Sequence, residues 1–407
     1  MKWIDGGVTA PKGFSAAGVS AGIKKAGIKD MAMVYSESPC RAAGVFTTNV
    51  VKAAPVKWDH QVVHESAYAQ AVVVNSGIAN ACTGAEGFGH CKETAEAAGT
   101  ALGIPAEAVF VASTGVIGAK LPMDKIKAGV GVLKEALGAD RKAGALAAEA
   151  IMTTDTKPKE AAVETVIGGK TVTVAGMCKG SGMIHPNMAT MLCFVVSDAN
   201  VSHRLLQRAL SDDVVDTFNM ISVDGDTSTN DSVLLLANGL AGNAEITEEN
   251  EDYQAFCEAL HAVMEALSKK IAGDGEGATC LFEVKILGAP TKEAARTLAK
   301  SVVTSSLTKA AIYGHDANWG RILCALGYSG VTFDPERVDI WFESGAGKLK
   351  IVENGVSTGY SEEEATKILS GEEVTAIADM KAGEETATAW GCDLTYDYVK
   401  INADYRS

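Results

Sequence analysis

Long apolar runs are missing from this chain of 407 residues, and no stretch is long enough to cross a bilayer. The first residues, Met1 to Gly7, carry no hydrophobic segment of the secretory type, so a cytoplasmic location is expected. None of the nine cysteines forms a C-x-x-C pair, which excludes a zinc knuckle and a thioredoxin-like site. Their odd number and scatter fit reduced thiols, and Cys193 and Cys324, inside apolar runs, read as small buried hydrophobes. Positive charge is in short supply: 36 Lys and Arg face 51 Asp and Glu, a net −15. That balance disfavours nucleic acid or an anionic membrane as a partner, though a local cation can still hold an anionic substrate. Aromatics make up only 6%, and the zinc-protease motif H-E-x-x-H is absent. A serine-hydrolase elbow is not expected either.

Glycine, in contrast, is abundant at 42 residues, and the apolar fraction is an ordinary 47%. The length suggests two or three packed units. Residues 71–74 and 108–112 read as buried strands ending in glycine-containing loops, with a helix over 91–102 between them. A helix is expected from Pro122 to about residue 150. A hairpin is expected at 163–166 and 170–175 around Gly168-Gly169. Further expectations are a core strand at 191–196, a helix at 205–220, a strand at 233–237 and a helix at 249–270. A strand at 280–287 and a helix at 292–309 follow, then strands at 338–342, 348–352 and 386–401. Strands and helices interleave without a βαβ rhythm, which favours layered α/β with mixed sheets.

The most informative run is Lys179-Gly180-Ser181-Gly182-Met183-Ile184-His185-Pro186-Asn187-Met188-Ala189-Thr190. It delivers a hydroxyl to the start of an apolar strand. A threonine hydroxyl needs a base, and an α-amine, with a pKa of about 7.7–8.0, supplies one near neutral pH. Cutting the Ala189–Thr190 bond would place base and nucleophile on one residue. Small Ala189 leaves room for the attack, Gly180 and Gly182 are expected to allow a bent approach, and Pro186 biases His185 towards extended backbone.

This run resembles the cleavage site of the ornithine acetyltransferase (glutamate N-acetyltransferase) family. Other segments resemble that family in the same order along the chain. They are Ala43–Asn49, Asn75–Gly84, Ser113–Gly118, Ile151–Thr156, Gly273–Thr279, Gly314–Arg321 and Ile401–Tyr405. The resemblance implies a four-layer αββα sandwich with mixed sheets, like that of a group of self-cleaving amidases. It also implies a smaller C-terminal α+β region, so that 1–285 form the catalytic core and 286–407 contribute to the substrate site.

What the resemblance implies about chemistry is specific. The chain cuts itself into fragments 1–189 and 190–407, which stay together and pair into a heterotetramer. Thr190 is the nucleophile, and Thr114 and Gly115 stabilise the oxyanion. Thr153, Lys179, Glu276, Asn402 and Ser407 join Thr190 in binding substrate. Where the family usually ends in Thr, Ser407 keeps the hydroxyl and loses a methyl. The implied reaction moves an acetyl group from N-acetylornithine to glutamate in arginine biosynthesis, with no organic cofactor. Acetyl-CoA is a second donor in some members.

Chemistry of the residue types agrees. Lys179 can hold a carboxylate. The spacing of Gly273, Gly275 and Gly277 invites a phosphate loop, but Asp274 and Glu276 would repel phosphate and suit a substrate amine. Asp224, Asp226 and Asp231 do not follow a calcium-loop pattern, so no metal is expected. His185 is not needed as a base, and His315, Asp316 and Arg321 receive no catalytic role. Two other readings stand beside the transferase: a self-processed aminopeptidase or amidase that passes the acyl group to water, and a binding protein that never cleaves.

Overall fold

The computed structural model describes residues 1–185 and 191–403. Its central element is the strand Met31–Phe46, whose two halves serve different neighbours. The first half pairs antiparallel with Phe14–Val19 and Ala69–Ile78, and Ala69–Ile78 pairs parallel with Val109–Val116. The second half pairs antiparallel with Ser232–Ala237. From there the order continues through Leu192–Ser197, Lys170–Lys179 and Lys159–Ile167 to Lys2–Trp3.

Two half-sheets therefore face one another, and the side-chain parity of each strand proves it. Leu192, Phe194, Val196, Leu234 and Leu236 pack with Met31, Met33, Val72 and Val74 in one core. Cys193, Val195, Val233 and Leu235 point the other way, onto Leu205, Phe256, Leu260 and Leu267 of the helices His203–Asp213 and Glu251–Gly273. The helices Ala54–Glu65, Gly84–Leu102, Met123–Ala136 and Arg141–Ala150 cover the far side of the first half-sheet. The result is the four-layer αββα arrangement. The strand Leu192–Ser197 is buried at every position, as expected for a strand with a parallel neighbour and both faces covered.

A second sheet is built from Leu281–Ala289, Asp339–Ser344, Gly347–Glu353, Val356–Ser357, Glu373–Asp379 and Glu385–Cys392, with Ile221–Ser222 at one edge. The helix Glu251–Gly273 packs on the sandwich and also touches this sheet. Its buried positions Phe256, Leu260, Val263, Leu267 and Ile271 follow helical spacing, and Asn250 caps its start by accepting from Tyr253 N–H. Phe282 and Val284 share one core with Val195, so the C-terminal region is continuous with the sandwich. Residue 285 falls inside the strand Leu281–Ala289.

Several expected elements are corrected. The helix from Pro122 to 150 is two, broken where Gly138 bridges to Ala16 and Asp140 caps the second by accepting from Ala143 N–H. The helix at 205–220 ends at Asp213. The helix at 292–309 is two, Lys292–Val303 and Ser306–Tyr313, because Ser305 accepts from Thr308 N–H and restarts the chain. The strand expected over 386–401 stops at Cys392, and Tyr396–Ala403 is a helix.

Candidate active site

A cavity of about 150 Å³ opens where the strand ends meet. Thr114, Gly115, Thr153, Lys179, Glu276 and Asn402 all line it, together with Met191 and Leu192. Every sequence-expected binding or oxyanion residue within the described range therefore reaches one site. Ala189, Thr190 and Ser407 lie outside the described residues.

Each side chain is placed by identifiable local physics. Thr114 and Gly115 end the strand Val109–Val116, in register with Ser76 and Gly77 of the neighbouring strand. Gly115 has φ +128°, and a Cβ there would lie 2.2 Å from the Gly77 carbonyl carbon. Only glycine permits this approach. Lys179 ends the strand Lys170–Lys179 opposite Leu192 and donates its Nζ–H to Thr114 Oγ1 at 3.3 Å. Lys179 is buried, and Asp155 is the nearby countercharge. Burial works against ionisation of Asp155, but Lys179 and Lys159 outweigh it and hold its pKa at about 2.

Glu276 is fixed from two directions. Its backbone N–H donates to Ser181 O at 3.0 Å, and its Oε2 accepts from Asn402 Nδ2 at 2.7 Å. Gly182 leaves room for the carboxylate: a Cβ on Gly182 would sit 2.4 Å from the Glu276 carboxyl carbon. Gly180 likewise leaves room for Ile184, whose Cδ1 would be 2.9 Å from an added Cβ. The two glycines thus provide space, and the chain does bend over residues 181–183, although neither glycine has a positive φ. The residue in left-handed backbone is Met183, at φ +56°. Asp224 stabilises that turn by accepting from Met183 N–H at 2.7 Å and Ile184 N–H at 2.9 Å.

His185 is anchored as well. Its Nδ1 lies 3.1 Å from Ser222 Oγ, and its carbonyl accepts from Thr227 Oγ1. Burial, and then the Lys300 charge, lower its pKa to about 4, so the ring is neutral at pH 7. His315, Asp316 and Arg321 do not line the cavity. Arg321 donates to Leu307 O at 2.7 Å, and Asn318 caps the helix Trp319–Gly327. Two G-x-S-x-G spacings do occur, at residues 18–22 and 355–359. Their serines, Ser20 and Ser357, are exposed and away from the cavity, and neither segment leads directly from strand into helix as an elbow requires.

Sequence reasoning missed the wall formed by Ser228, Thr229, Asn230 and Asp231. Asn230 Nδ2 donates to Ala79 O at 2.6 Å and Ser113 O at 2.8 Å, tying the loop after Ala69–Ile78 to the strand that carries Thr114 and Gly115. Asp231 is only 2% exposed, and burial raises its pKa well above the ordinary value, against the opposing pull of Ser228 and the Lys179 charge. The available signal was a polar run feeding the apolar strand Ser232–Ala237, the same pattern that marks residues 179–196.

Residues 15–407 match the model of the ArgJ family. The chain belongs to the ArgJ family. It is 56% identical over 409 residues to the arginine biosynthesis bifunctional protein ArgJ of Symbiobacterium thermophilum, covering all of both chains. It is 53% identical over 398 residues to the protein of the same name from Thermotoga neapolitana, covering 98% of this chain and 99% of that one. It also resembles the crystal structure of an arginine biosynthesis bifunctional protein ArgJ from Bacillus halodurans, at 50% identity and a TM-score of 0.50. That match takes in 98% of the solved chain and 52% of this one, so the solved chain is about half as long. The ArgJ-family match includes every segment that lines the cavity.

Proposed function

We propose that this chain is an acetyltransferase of arginine biosynthesis that moves the acetyl group of N2-acetyl-L-ornithine to L-glutamate. The observation that carries the reading is the convergence of six expected residues on one cavity beside Met191 and Leu192. Four of them precede the expected cut and two follow it. The half-length solved relative supports a chain that matures by cleavage.

The reaction runs in two halves. Cleavage between Ala189 and Thr190 frees an α-amine, which takes the proton of the Thr190 hydroxyl as its oxygen attacks the acetyl carbon. Thr114 and Gly115 donate to the developing oxyanion. The C–N bond breaks, the proton passes to the departing nitrogen, and ornithine leaves acetyl-Thr190. The amine of glutamate, as the free base, then attacks the ester carbon. Its proton is taken by the Thr190 amine and the Thr190 hydroxyl is restored. Lys179 suits a substrate carboxylate and Glu276 a substrate ammonium, with Thr153, Asn402 and Ser407 completing the site. Acetyl-CoA serves as a second donor, and no organic cofactor takes part. Fragments 1–189 and 190–407 stay together as a cytoplasmic heterotetramer of two of each.

The measurement is intact mass under denaturing conditions, before and after N-acetylornithine. The expected result is two fragments, the heavier starting at Thr190 and gaining one acetyl group that glutamate removes. Thr190→Ala should stay a single chain without activity. Capture of the acetyl group by water rather than glutamate would favour the aminopeptidase or amidase reading. A single uncleaved chain with no acetyl adduct would favour a binding protein.

A further inference from the structure

Two of the conspicuous segments reach the cavity and also carry residues without a part in the chemistry. Residues 151–156 supply Thr153 and Thr154 and also carry Asp155 and Thr156. Residues 273–279 supply Glu276 and also carry Asp274. The unused residues meet behind the cavity, around one lysine.

Lys159 is 1% exposed, and its Nζ donates to Asp155 Oδ1 at 2.6 Å and to Asp274 Oδ2 at 2.5 Å. Asp155 spends its remaining capacity on the cavity wall, accepting from Thr153 N–H at 3.0 Å and Gly180 N–H at 2.7 Å. Asp274 accepts from Thr156 N–H at 3.0 Å and from the Thr156 hydroxyl. Its own carbonyl accepts from Ser181 Oγ at 2.7 Å. One ammonium thus ties the wall carrying Thr153 and Lys179 to the loop carrying Glu276, across the two sides of the expected cut.

We propose that Lys159 is a positioning residue, which, through Asp155 and Asp274, sets the distance between Lys179 and Glu276 and so the span of substrate the cavity accepts. Lys159 does not touch substrate. The inference rests on the proposed function, because it assigns Lys179 and Glu276 to opposite ends of an amino acid. A buried ion triad is a poor source of net stability compared with apolar packing, so its value here lies in geometry.

Asp274→Asn tests it, since the amide keeps the size and can still meet Thr156, its oxygen accepting from the Thr156 N–H and its NH2 donating to the Thr156 hydroxyl, but removes the charge. Ornithine affinity by calorimetry should fall about tenfold and KM for both substrates should rise about as much, with kcat within about threefold. Hydrogen exchange at the Glu276 and Gly180 amides should speed up. The neutral triple variant Asp155→Asn, Lys159→Met, Asp274→Asn should keep the KM defect even where its thermal midpoint matches the wild type. Lowered stability in Asp274→Asn with affinity, KM and loop exchange unchanged would overturn the proposal and leave the triad a structural element. Should the wild-type protein neither transfer acetyl groups nor bind ornithine, the proposed function fails on its own. Exchange at residues 180 and 276 then still decides whether the triad holds the two walls.

Discussion

The side-chain amide of Asn402 donates to Glu276 Oε2 at 2.7 Å, joining the last helix to a loop 126 residues earlier. Asn402 Nδ2 also donates to Tyr398 O, which keeps the amide oriented within its helix. The carboxylate is thereby aimed before any substrate arrives.

Removing that aim should weaken binding more than turnover. A hydrogen bond to a charged group contributes about 1.5–3 kcal/mol. Asn402→Leu is expected to raise KM for both amino acids about tenfold or more, with a smaller change in kcat. Steady-state kinetics on each substrate would check this, and an unchanged KM would refute the role of the pair.

Gly182→Ala addresses the same carboxylate from the other side. The added methyl would collide with Glu276, so the carboxylate must swing away. The expected outcome is loss of substrate affinity with self-cleavage retained, read by calorimetry and intact mass on one sample. Wild-type affinity in this variant would mean that Glu276 does not hold substrate.

His185 gives a pH prediction whose sign can be worked out. Its folded pKa of about 4 lies below the ordinary histidine value of about 6.5. Between those values the unfolded chain binds a proton that the folded chain refuses, so stability falls as pH drops through that window. His185→Gln should flatten this part of the stability curve, measured by urea unfolding at a series of pH values. The acidic limb of activity, set by an α-amine near pH 7.7–8.0, should stay in place. A shift of that limb would make His185 the base.

Phe194 is fully buried between the two half-sheets. Phe194→Ala should destabilise by about 3–5 kcal/mol through lost transfer energy and a residual cavity. Denaturant midpoints would show it, and a loss below about 1 kcal/mol would mean that the layers can collapse around the gap.

The site was more legible in the sequence than the elements bearing it. Thr114, Gly115, Lys179 and Glu276 stand in short glycine-containing polar segments and Asn402 in a glycine-free terminal one, and all of these resemble motifs of the family, from which their roles follow. The strand Met31–Phe46 left none, because it changes partners midway and its buried pattern changes with them. The helix Tyr396–Ala403 contains no buried residue, so no apolar stripe betrays it. Ser305 interrupts a long helical pattern with a cap rather than a glycine or proline. Asn230 and Asp231 act through long-range placement, which spacing alone does not encode.

The sheet order has a consequence for how the protein is made. Leu192–Ser197 lies between Lys170–Lys179 on one side and Ser232–Ala237 on the other, and Ser232–Ala237 is flanked in turn by Met31–Phe46. A cut at Ala189–Thr190 leaves two products whose strands alternate as first, second, second, first. Neither can complete the sheet alone. Assembly of the uncut chain is unimolecular, whereas reassembly of the cut one is a second-order encounter of two partial sheets. Maturation by such a cut would work as a ratchet: the molecule would fold readily once, and every later recovery from unfolding would depend on its concentration.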